Sequence, residues 1–134
     1  MTFDVSQYEL ADTAVLTFKT ARGDGPLIGA DGKTPAKAVI YSPGSEQGVR
    51  TLHKAGKQSQ IRLVRAMKGE VMEDDAERAD REAAEKLAGF TAEFINFPLD
   101  PIKVYSNPRL VYMAKQVEQF VGNYGSFSKG SSEN

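Results

Sequence analysis

Three features of the sequence predict an α+β fold. Two short stretches near the start alternate apolar and polar residues, Ser42-Pro43-Gly44-Ser45 then breaks the pattern, and apolar residues spaced by three and four dominate the remainder of the chain. The expectation is a small N-terminal antiparallel β-hairpin or meander followed by a mainly α-helical region of three to four helices. Residues 1–125 read as a single domain, and 126–134, small and polar except for Phe127, as a disordered tail. With 134 residues, 40% hydrophobic and 26% charged, the chain has the size and balance of one ordinary soluble domain.

From Thr13 to Lys19, Ala14, Leu16 and Phe18 fall on one face of a strand, and Val15, Thr17 and Lys19 on the other. Lys37 to Tyr41 is the second strand candidate, with Ala38 and Ile40 opposed to Val39 and Tyr41. Between them lies a loop rich in glycine, proline and aspartate, in which Asp31-Gly32 is a turn dipeptide and Leu27-Ile28 a short apolar pair. A two-stranded ribbon is marginal alone, so a helix should cover its apolar face.

Ser42 or Ser45 is the expected cap of a long helical block reaching Phe97. Its first stripe is Val49, Leu52, Gly56, Leu63, Val64, Met67 and Val71, and Gly56 would permit close approach of another helix. A second stripe, Ala76, Ala79, Ala83, Leu87, Phe90 and Phe94, follows at the same period. Acids from Glu70 to Asp75 suit a helix start, and Pro98 and Pro101 are expected to stop regular structure. Whether the two halves form a hairpin or one rod is open at this level. Asn107 or Ser106 should cap the last helix, with Pro108 in its first turn. Leu110, Met113, Val117, Phe120 and Val121 make its apolar face, the cleanest in the chain.

Charge divides the block. Arg50, Lys54, Lys57, Arg62, Arg65 and Lys68 precede a mostly acidic half. Read as a phosphate-binding surface, the basic run 50–68 would serve a nucleic-acid regulator. The net charge of −1, the spread of the cations and the acids beyond them make this an alternative only. Charge pairing between neighbouring helices, within or between chains, is the leading reading, and it selects partners more than it stabilises.

The residues offer little for catalysis. There is no cysteine, which excludes thiolate chemistry and disulfides. His53 is the one histidine and stands in no nucleophile motif. Glu73, Asp74 and Asp75 lack the spacing of a calcium loop. Gly32-Lys33-Thr34 superficially suggests a phosphate loop, but Leu27 stands where its first glycine is required. No enzyme, cofactor or metal is therefore expected. The N-terminus has no signal-peptide pattern and no apolar run approaches a membrane span, so a cytoplasmic chain without a membrane partner is expected.

Several segments resemble the tail assembly chaperones of long-tailed bacteriophages. Asp31-Gly32-Lys33-Thr34-Pro35 leads through Val39-Ile40-Tyr41 to Ser42-Pro43-Gly44-Ser45, similar to that family's turn, strand and helix start. Leu87-Ala88-Gly89-Phe90-Thr91 resembles the end of its acidic, alanine-rich helix. Asn107-Pro108-Arg109-Leu110, then Lys115-Gln116-Val117-Glu118-Gln119-Phe120-Val121 and Phe127, follow its closing pattern. The likeness spans roughly residues 30 to 127. It departs where no tryptophan stands between Gly89 and Phe94, and where Arg109 replaces an aromatic.

The resemblance implies a non-enzymatic assembly factor, present in the host cytoplasm and absent from the mature virion. Its partners would be the tape measure protein, the tail tube protein and further copies of itself as a homo-oligomer. In many members a longer frameshifted form is also made. The candidate partner-binding or oligomerisation residues are Leu110, Met113, Val117, Phe120 and Val121 on the last helix, with Arg50, Arg62 and Arg65 in the basic run. Met113 leads because methionine adapts to varied partners.

Overall fold

The computed structural model describes residues 4–69 and 75–128. Both predicted strands form. β1 (Thr13–Thr17) and β2 (Lys37–Tyr41) pair antiparallel, with Ala14 opposite Ile40 and Leu16 opposite Ala38. Cross-strand partners share a face. This puts Ala14, Leu16 and the following Phe18 on the side of Ala36, Ala38 and Ile40, where the last three and Phe18 are completely buried. The intervening loop extends the ribbon. Leu27 donates its amide to the Phe18 carbonyl at 2.8 Å and accepts from the Ala36 amide at 2.7 Å.

The helical block is a hairpin, not a rod. α1 (Glu46–Met67) and α2 (Asp75–Gly89) run antiparallel, so Thr51 lies beside Gly89 and Arg62 beside Glu82. Ser45, not Ser42, caps α1, its hydroxyl accepting from the Gly48 amide at 3.0 Å. Ser42 supports it from below, its carbonyl accepting from the Ser45 hydroxyl at 2.6 Å. The acidic run Glu70 to Asp74 lies outside the described residues.

The strands are not all N-terminal. β3 (Thr91–Ile95) returns after α2 and pairs antiparallel with β2, giving a three-stranded sheet of order β1-β2-β3. This corrects the expectation that Phe90 and Phe94 continue a helical stripe. The helix ends at Gly89, and Phe94 reaches the core from a strand, opposite Ala38. Thr91-Ala92-Glu93-Phe94-Ile95 satisfies both periods, and β-branched residues at its ends with a free place on the sheet edge decide for the strand.

Pro98 lies in the irregular stretch 96–100, as expected, but Pro101 does not end regular structure. Asp100 caps a short helix, α3 (Pro101–Tyr105), with Pro101 in the first turn, where its missing N–H costs nothing. Asn107 caps the 3-10 turn Pro108–Leu110, which feeds α4 (Val111–Gly122). α2, α3 and α4 cover one face of the sheet with Ala84, Val104, Met113 and Val117. The expected tail is ordered through Ser128. Phe127 is 1% exposed and packs edge-on against Phe120, and its carbonyl accepts from the Ala11 amide at 2.7 Å. Residues 129–134 lie outside the described residues.

Candidate partner-binding surface

The last helix does not offer its apolar face. Met113 and Val117 are fully buried, and Leu110, Phe120 and Val121 pack half-buried against the same core. That face is the lid of the sheet. Amphipathicity locates it correctly but does not distinguish a face that meets the chain's own sheet from one that meets a partner.

α1 is built the other way round. With about 3.6 residues per turn, Gly48, Thr51, Ala55, Gln58 and Arg62 share the side toward α2. The approach there is close because it is made by small and polar groups. A Cβ on Gly89 would come within 2.9 Å of the Thr51 side chain, and the buried Thr51 hydroxyl lies 2.9 Å from the Gln47 carbonyl oxygen and 3.2 Å from that of Gly89. Farther out, Arg62 and Glu82 form a partly buried ion pair, the intrachain charge matching that the divided sequence suggested.

The apolar stripe of α1 therefore points away from the body. Val49, Leu52, Ile61, Leu63, Val64 and Met67 are all exposed, Leu63 at 62% and Met67 at 80%. Soluble chains rarely leave so many large apolar side chains together in water unless the patch serves contact. A shallow hollow of about 400 Å³ lies beside it, lined by Lys57, Gln60, Ile61, Val64, Arg65 and Lys68.

The predicted cations separate. Arg50 is engaged by Glu46 one turn back, and Arg62 is turned inward to Glu82. Arg65 alone of the three borders the hollow. His53 is exposed on the outer side. The apolar part of this surface is visible as a stripe in the sequence. The signal that marks it as external is the polar character of Thr51, Gln58 and Arg62 on the opposite side.

Elsewhere, Asp31 is held as a carboxylate well below the usual range, chiefly by the Thr34 hydroxyl and amide, then the Lys33 amide and Asn96. Its role is to fold the 29–34 turn against Asn96, which donates to the Thr34 carbonyl at 2.8 Å. Among the described residues no helix is long and apolar enough to cross a membrane. In comparisons with protein-family models, curated proteins and solved structures, the chain matches none.

Proposed function

We propose that this chain is a tail assembly chaperone of a long-tailed bacteriophage or prophage, a holding factor and not an enzyme. It binds the helical tape measure protein, keeps it soluble in the host cytoplasm and admits the tail tube subunits that polymerise around it, then leaves before the virion is complete. The observation that supports this reading is the outward apolar stripe of α1, a helix face of the kind that receives another helix. Self-association into a homo-oligomer would multiply that weak site into avid binding of a long client.

The test is co-expression with a fragment of a tape measure protein. The chain should raise the soluble yield of the fragment and co-purify with it, and addition of tail tube protein should then give tubes. A fragment that stays insoluble beside abundant soluble chain would exclude the reading. A nucleic-acid regulator built on residues 50–68 stands behind it, because Arg50 and Arg62 are engaged by carboxylates and apolar side chains share that helix surface.

A further inference from the structure

We infer that the outer face of α1 receives an amphipathic helix with acidic residues along one flank, whose largest apolar side chain seats over Gly56. The inference rests on reading the chain as a helix-holding module, and it adds the chemistry of the helix that is held. Spacing gives the first argument. Val49, Leu52, Gly56, Leu63 and Met67 follow steps of three, four, seven and four. At about 3.6 residues per turn these steps bring Met67 back in line with Val49, so the seam stays nearly parallel to the axis. Along a 22-residue helix it offers a contact line of about 33 Å, the shape of a second helix.

Charge gives the second argument. At helical spacing Lys57 and Lys68 line one border of the stripe with Lys54 beyond them and Arg50 already paired to Glu46, and the other border carries Ser59 and Ala66, without charge. A second copy of α1 laid antiparallel would bring the same flank of each helix together and set cations against cations. Laid parallel, it would set them against the uncharged border. A helix with carboxylates on one flank satisfies the cations directly. A lipid surface fits less well, since residues 46–67 contain no Trp, Tyr or Phe and the lysines stand on one side only.

Gly56 gives the third. Among the described residues nothing lies within 4 Å of where its Cβ would be, in the middle of the stripe. The result is an open notch between Leu52 and Leu63 that a partner's side chain can enter.

The experiment uses the full chain and two labelled peptides, each a leucine-faced amphipathic helix, one with glutamates along one flank and the other with lysines there. By fluorescence anisotropy the glutamate peptide should bind about tenfold or more tightly than the lysine peptide, with the gap closing as salt rises. Leu63→Glu with Met67→Glu should abolish that binding at unchanged melting temperature, because both side chains stand in water. Gly56→Leu should weaken it severalfold while leaving the helix formed.

Equal binding of both peptides, or of neither, overturns the inference. So does a dimer in sedimentation that Leu63→Glu dissolves, which would assign the face to a second copy. Peptide-independent capture on phosphatidylserine vesicles, lost in the same variant, would assign it to a membrane and overturn it too. The peptides contain no tape measure sequence, so their failure leaves the chaperone reading to its own test, and a failed tape measure test leaves theirs standing.

Discussion

The Thr91 hydroxyl and the Tyr105 phenol lie 2.7 Å apart in a buried setting, joining β3 to α3. Thr91 also lies 2.9 Å from the Leu87 carbonyl, to which it can only donate, so Tyr105 donates to Thr91. Burial pushes the Tyr105 phenol up to about 12. The folded state thus favours the neutral phenol. Its contribution is fully present below about 10, the unfolded value, and is lost as pH rises through about 12. Tyr105→Phe should cost about 1 kcal/mol at neutral pH. Across the alkaline window the wild type should lose its advantage over the variant in melting temperature. Parallel curves would show that the phenol does not carry this dependence.

Two glycines of α1 predict opposite outcomes. A Cβ at Gly48 would stand 2.0 Å from the Ser42 carbonyl oxygen, a backbone atom that cannot swing aside. Gly48→Ala should therefore displace the first turn of the helix and cost about 2–4 kcal/mol. A Cβ at Gly56 meets nothing within 4 Å among the described residues. Gly56→Ala should raise stability by about 0.5–1 kcal/mol through helix propensity alone. Urea midpoints of the two variants should move in opposite directions, and a stabilised Gly48→Ala would mean that the first turn of α1 does not abut the Ser42 carbonyl.

Where a segment's neighbours are its own, the sequence is readable. Ala14, Leu16 and Phe18 alternate because the ribbon has one wet side, and Asn107-Pro108 announces a helix start through local bonding alone. Phe94 is ambiguous because a five-residue segment holds too few periods to separate strand from helix. Its place on the sheet depends on β2, more than fifty residues earlier. The partner surface is hidden for the same kind of reason. Met113 and Val64 both sit on apolar stripes, and the tertiary arrangement sends one into the core and the other into water.

Phe127 closes the core at the chain's last described turn. Its ring packs edge-on against Phe120 with centroids 5.4 Å apart, and its backbone carbonyl holds the Ala11 amide. Phe127→Ala removes a fully buried aromatic from a small domain and should cost about 3–5 kcal/mol. Thermal denaturation followed by circular dichroism measures it directly. A loss under about 1 kcal/mol would return this segment to the status of a loosely attached tail.

The Arg62–Glu82 pair tests how the outer half of α1 is held. Both side chains are partly shielded, at 29% and 22% exposure, so their attraction is less screened than that of a surface pair. A double-mutant cycle with Arg62→Met and Glu82→Gln should give a coupling of about 1 kcal/mol that falls as salt is added. The effect should also be local. The Thr51 end of α1 is fixed by its contact with Gly89, so hydrogen exchange should quicken from Ile61 to Met67 and stay unchanged around Thr51. Strictly additive single variants, or exchange that quickens evenly along α1, would mean that the ion pair does not anchor the exposed stripe.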